Sequence, residues 1–106
     1  MLSDIKIGAA YVCTTDSSPT MQDQLKDIVM YCDENDIVLL YIYTEVCDDA
    51  KAERVLPNLL LDDLKKDRFF EALVVTDIAQ LAADPVEAAC ISAEYKARGV
   101  DLFAVA

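Results

Sequence analysis

The sequence predicts an α/β fold, a three-layer αβα arrangement around a mainly parallel sheet of four strands. Two observations carry that reading. Apolar runs of strand length alternate with helix-period segments in the order βαβαβαβ, and residues 37–43 are apolar throughout, without the alternation of a half-exposed strand. Such a pattern builds parallel strands with helices on both faces, and it places functional sites at the carboxyl ends of the strands.

Residues 5–13 form the first strand, because apolar and small residues dominate and turn-formers follow at once. Thr14, Thr15, Asp16, Ser17 and Ser18 make a hydroxyl-rich loop, and Pro19 and Thr20 open a helix. From there Met21, Leu25, Ile28, Val29 and Cys32 recur at the spacing of one helical face, with Gln22, Asp23, Lys26 and Asp27 outside it. Gln24 falls on the outer part of this helix, where water would solvate it. Thr20 with Asp23 three residues on makes a capping pair. Residues 33–36 are polar and break the pattern before the second strand, residues 37–43, whose continuous apolar character predicts cover on both faces. An acidic loop, residues 45–49, follows.

The second helix starts near Leu56 or Pro57, since proline is tolerated in a first turn, and carries Leu59, Leu60, Leu61 and Leu64. Lys65 and Lys66 suit its carboxyl end. Phe69 and Phe70 are expected under the sheet, and residues 72–75 are the third strand, ending at Thr76 and Asp77. Asp84, Pro85 and Glu87 then signal a helix start: an N-cap, a proline in the first turn and a glutamate three after the cap. Val86, Ala89, Cys90, Ala93 and Ala97 are its expected buried face. Gly99 terminates it, and residues 100–105 are the fourth strand.

One domain spanning 1–106 accommodates all of this, with no repeat, linker or low-complexity segment. The hydrophobic content of 55% with two glycines and three prolines fits compact regular structure. The net charge of -11, from 20 acidic and 9 basic residues, repels a phosphate backbone, so this domain alone is expected to bind nucleic acid weakly. An acidic surface keeps a small domain soluble, or recruits a basic partner. Four cysteines (Cys13, Cys32, Cys47, Cys90) without a C-x-x-C pair, and no histidine, give no metal site. Cys13, Cys32 and Cys90 are expected as buried reduced thiols. No cofactor motif is present, no stretch resembles a secretory signal, and the longest β-like apolar run is too short to cross a bilayer. The expected home is cytoplasmic, with no membrane partner.

The loop from Thr14 to Ser18, at a strand end and before a helix N-terminus, has two readings. It binds a small anion or nucleotide, or its hydroxyls cap the helix and make a turn.

Four segments carry a resemblance. Tyr11-Val12-Cys13-Thr14-Thr15-Asp16, with Gln24-Leu25 beyond, is similar to the opening Y-x-R-x-S-(S/T) and distant Gln of the serine recombinases, the resolvases and invertases. Residues 45–54 resemble that family's D-x-x-S-G-x-x-x-x-R, with Arg54 on its arginine. Residues 72–84 resemble the stretch bearing D-R-L-x-R, and Arg98-Gly99-Val100-Asp101-Leu102 resembles its G-V-x-L strand. The likeness covers nearly the whole chain in one register. It implies a resolvase-like domain with flavodoxin-like strand order 2-1-3-4.

In that family a serine attacks a DNA phosphodiester, forming a phosphoserine link, while arginines neutralise the phosphate. The resemblance puts Thr15 at the nucleophile position, Cys13 at the first arginine, and Gln80 and Ala83 at the two arginines of D-R-L-x-R. Gln24 and Arg54 match the family's polar positions, and Ser-Gly has become Asp48-Asp49. A threonine hydroxyl still serves as a nucleophile when activated, but each lost preorganised donor costs about 10²- to 10³-fold in rate. The expectation is a serine-recombinase-like domain without strand exchange. The alternatives are an active recombinase drawing cations from Arg54, Lys51 or elsewhere, and an anion-binding α/β module. DNA is an expected partner only if a DNA-binding region follows residue 106; a homodimer or a protein partner is otherwise expected.

Overall fold

The computed structural model describes residues 5–15, 19–47 and 54–105. Its elements run β1 (Lys6–Thr14), α1 (Met21–Glu34), β2 (Ile37–Val46), α2 (Leu56–Lys66), β3 (Ala72–Val75), a 3₁₀ turn (Ile78–Leu81), α3 (Pro85–Ala97) and β4 (Asp101–Ala104). The strands form one parallel sheet in the order β2-β1-β3-β4. Ile28 and Cys32 of α1 pack on one face with Ala10, Val12 and Val74. Leu60, Leu61 and Leu64 of α2 and Ala88, Ile91 and Tyr95 of α3 pack on the other with Tyr11, Leu73 and Val75. The three-layer αβα expectation and the strand order both hold.

The strand covered on both faces is β1, where Ala9 to Cys13 are buried in succession. The same cover was expected of β2, and the structure corrects this. β2 lies at the sheet edge, and its exposure alternates, with Val38, Leu40, Ile42 and Val46 open to solvent. Glu45 and Val46 also belong to β2 rather than to an acidic loop; Asp48 and Asp49 lie outside the described residues. An apolar run alone cannot tell an edge strand from a central one, because that depends on which strand comes to lie beside it.

A bulge interrupts the ladder between β1 and β2. Gly8 pairs with Leu39 but Ala9 pairs with Tyr41, so Leu40 is an extra residue and the side chains change faces across it. Ile37 and Leu39 pack on the α1 side, whereas Tyr41 and Tyr43 pack on the other, where Tyr41 meets Phe69 edge-on with ring centroids 5.2 Å apart. Gly8 is required at this crossing, since a Cβ there would overlap Ile37 Cγ2.

The caps form as the residues dictate. Thr20 Oγ1 accepts from Asp23 N at 3.2 Å, and Asp84 Oδ1 accepts from Val86 N at 3.0 Å. Gly99, at φ +79°, closes α3: its N–H reaches the Lys96 carbonyl and that of Val100 reaches the Tyr95 carbonyl. The buried face of α3 differs from expectation. Val86 is 71% exposed, and Ala89, Cys90, Ala93 and Ala97 are exposed as well. Ala88, Ile91 and Tyr95 turn inward instead, because the two large side chains bury more apolar area than a row of alanines, about 1.5–3 kcal/mol for a side chain of that size. Tyr95 tolerates the position because its hydroxyl donates to the Pro57 carbonyl at 2.6 Å.

Gly8→Ala is expected to lower stability by about 1–3 kcal/mol through overpacking against Ile37. Urea midpoints of Gly8→Ala, Ile37→Ala and the double variant check this, with the double loss smaller than the sum of the singles.

Candidate functional site

At the carboxyl end of the sheet the backbone of β1 outruns its neighbour. β1 pairs with β3 only from Gly8 to Ala10, while its ladder with β2 continues to Thr14. Successive residues of a strand present their amide groups to opposite edges. Thr14 faces β2, its carbonyl accepting from Cys47 N at 2.8 Å, so Cys13 faces the side that β3 has left. Two glutamine side chains take that place. Gln80, from the 3₁₀ turn, accepts from Cys13 N through Oε1 at 3.0 Å. Gln24, from α1, donates through Nε2 to the Cys13 carbonyl at 3.4 Å and the Pro19 carbonyl at 2.9 Å, and accepts from Thr76 Oγ1 at 3.4 Å.

Gln24 is therefore not a solvated residue of the outer helix face: it is 2% exposed. Its place on α1, four residues before Ile28, is on the inward stripe. Helical periodicity taken over apolar residues alone passes over a glutamine whose partners lie on another strand. Asp77, which has no partner visible in the sequence, caps the 3₁₀ turn by accepting from Ala79 N at 3.0 Å.

The Cys13 side chain points into the core, 1% exposed, with its Sγ 3.1 Å from Cys47 Sγ. Beside it, Tyr11 donates its hydroxyl to Glu45 Oε1 at 2.7 Å. Glu45 also accepts from Val55 N at 2.8 Å and Leu56 N at 3.3 Å. The N-cap of α2 is Val55, which offers no side-chain cap, so this carboxylate from β2 supplies the anion that a helix N-terminus favours. The signal in the sequence was indirect: the residue before Leu56, at the N-cap of α2, is Val55 rather than Ser, Thr, Asp or Asn, and such a helix requires an acceptor from elsewhere.

Arg54 is 8% exposed, and its guanidinium charge acts on the Cys47 thiol. Thr15 follows the last residue of β1 and is half-buried. Ala83 lies exposed in the turn before α3. The structure thus joins Cys13, Gln24 and Gln80 by hydrogen bonds, sets Arg54 next to them through Cys47, and leaves Ala83 outside the cluster. Asp16, Ser17 and Ser18 of the hydroxyl loop, and Lys51, lie outside the described residues. No group of three or more metal-ligating side chains occurs among the described residues. Among them, too, no helix is long and apolar enough to cross a membrane.

The family model for the resolvase N-terminal domain matches residues 7–106. The chain belongs to that family. None of the curated proteins matches it by sequence. Among solved structures, the resolvase-family chain is similar to the N-terminal catalytic domain of TP901-1 integrase, with a TM-score of 0.77 at 13% identity over 94% of this chain and 77% of that one. It is also similar to the C-terminal catalytic domain of ISC1926 TnpA, an IS607-like serine recombinase, with a TM-score of 0.75 at 14% identity over 93% and 70%. The corresponding domain of IS1535 TnpA, also an IS607-like serine recombinase, gives 0.67 at 18% identity over 92% and 69%. The fold of this resolvase-like domain is that of serine recombinase catalytic domains.

Charge is distributed unevenly along that fold. Lys6 opens β1, Lys65, Lys66 and Arg68 lie between the end of α2 and β3, and Lys96 and Arg98 lie at the end of α3 before β4. In a parallel α/β sheet these positions all belong to the amino-terminal end. Lys26 is exposed in the second turn of α1. Among the described residues Arg54 is the arginine at the carboxyl end, and it is enclosed.

Burial, then the hydrogen bond and charge of Cys13, push the Cys47 thiol from 9.0 up to about 11, with Arg54 acting the other way. Burial, followed by the bond to Glu45, holds the Tyr11 phenol well above its ordinary 10.0. When unfolded, both groups release protons at lower pH than when folded. The unfolded state then binds fewer protons, so stability is intact below about pH 9 and falls as pH rises toward 11. The expected slope is about 1.4 kcal/mol per pH unit for each such group, and Cys47→Ala, measured by urea midpoints across this range, makes the slope shallower.

Gln80→Ala is expected to cost about 1–2 kcal/mol by leaving the Cys13 amide without its acceptor. Hydrogen exchange at that amide, compared with Val12 and Thr14, checks this and should quicken roughly tenfold at Cys13.

Proposed function

We propose that this resolvase-family domain retains the recombinase fold without the strand-cleaving chemistry, and that it serves as an interaction or regulatory module. One observation carries the reading. Of the positions where arginines would meet a phosphate beside Thr15, Cys13 and Gln80 are engaged in holding the domain together and Ala83 offers no polar side chain, while the cations of the described residues gather mainly at the opposite end of the sheet.

The chemistry of the positions supports this. Cys13 turns its thiol into the core, Gln80 spends its carbonyl oxygen on the Cys13 amide, and Ala83 carries no polar group. Arg54 is enclosed beside Cys47, and Glu45, held by Tyr11 and the first amides of α2, adds negative charge to the end of β2. Two unit charges about 4 Å apart interact by roughly 4 kcal/mol at an effective dielectric of about 20, enough to disfavour a phosphate at such range. Phosphate contacts supply most non-specific DNA affinity. With a net charge of -11, a partner is more readily a protein surface than DNA.

The test is a supercoiled plasmid incubated with the protein and quenched to trap covalent adducts. The expected result is no nicking above background and no DNA-linked protein. Cleavage through a threonine-phosphate bond, abolished in Thr15→Ala, would show that the domain is an active recombinase.

A further inference from the structure

We propose that Cys13 and Cys47 form a redox pair, which hydrogen peroxide converts to an intramolecular disulfide joining the carboxyl ends of β1 and β2. The two sulfurs stand 3.1 Å apart in the same core cluster. The bond between Cys47 N and the Thr14 carbonyl holds the two chain segments in register beside them. A disulfide needs its sulfurs about 2.05 Å apart, so closure requires an approach of roughly 1 Å at strand ends already in contact. The other two cysteines are excluded by the fold: Cys32 packs on the α1 side of the sheet and Cys90 is exposed on α3.

Burial at 1% and 5% exposure selects the oxidant. Bulky disulfides cannot reach either sulfur, whereas hydrogen peroxide is hardly larger than water. Burial holds the Cys47 thiol up at about 11, so attack proceeds through the small thiolate fraction that the Arg54 charge favours, and oxidation is faster at alkaline pH. The Cys47 sulfur bonds to one peroxide oxygen, the O–O bond breaks, and the departing hydroxide takes up the proton released by Cys47, giving water and a sulfenic acid. The Cys13 sulfur then attacks the Cys47 sulfur, the S–O bond breaks, and the hydroxide leaves with the Cys13 proton as a second water. Two thiols are oxidised by two electrons, and one peroxide is reduced to two waters.

The bond closes the chain from Thr14 to Val46 into a loop, which includes Thr15, all of α1 and β2. Closing such a loop restricts the unfolded chain and is expected to raise Tm by roughly 10–20 °C. It also fixes the strand end that carries the Thr15 loop.

The experiment treats the folded wild-type protein with hydrogen peroxide and analyses it under non-reducing conditions. Expected are a mass loss of about 2 Da for the monomer, a crosslinked peptide containing Cys13 and Cys47, retention of the Cys32 and Cys90 thiols, and a higher Tm that dithiothreitol reverses. In urea the same treatment should scatter pairing among all four cysteines. Cys13→Ser and Cys47→Ser should each abolish the mass loss, and Cys32→Ser with Cys90→Ser should retain it. A crosslink in the native protein through Cys32 or Cys90, or conversion of Cys13 and Cys47 separately to sulfinic acids, would overturn the proposal. So would their survival as thiols under peroxide that oxidises Cys90.

Discussion

The carboxyl end of β1 depends on hydrogen bonds that no strand can give it. β1 is nine residues long and β3 is four, and where β3 stops, a buried amide and carbonyl of Cys13 would lose their partners. An unmet buried group of this kind costs on the order of 1–3 kcal/mol. Gln80 and Gln24 meet the two groups, and Gln24 extends the arrangement to Pro19 and Thr76. One set of four bonds thus ties the central strand, the start of α1, the end of β3 and the 3₁₀ turn together. The loop beginning at Thr15 emerges from that knot.

The same knot shows what the residues at this strand end do for the fold. Holding a strand end needs neutral donors and acceptors that survive burial, and glutamine provides both on one side chain. Neutralising a phosphate needs exposed or partly exposed guanidinium groups. A residue cannot readily serve both ends, and here Gln80 and Cys13 serve the interior. The opposing pole carries the cations because helix carboxyl ends favour them: Lys65, Lys66 and Lys96 sit in last turns, where the helix dipole attracts positive charge.

The edge strand shows a related division. The bulge at Leu40 lets β2 contribute Ile37 and Leu39 to the layer under α1 and Tyr41 and Tyr43 to the opposite one, so a single edge strand serves both cores. Its extension to Val46 also brings Glu45 to the N-terminus of α2, where one carboxylate satisfies Tyr11 and two helix amides at once. Without the extra residue at 40, every later side chain of the strand would point to the wrong face, and Glu45 would be lost to α2.

The order of elements and the caps at Thr20, Asp84 and Gly99 were legible in the sequence, because each rests on local spacing along the chain. Tertiary structure decided the rest. It made β2 an edge, turned Ile91 and Tyr95 rather than a row of alanines inward, buried Gln24 and placed Cys47 against Cys13. Those outcomes depend on which distant segment arrives beside a residue. Periodicity records how a segment faces a core, but it does not record which backbone groups are left over once the core has formed, and in this domain those leftover groups determine what the polar residues of the site are doing.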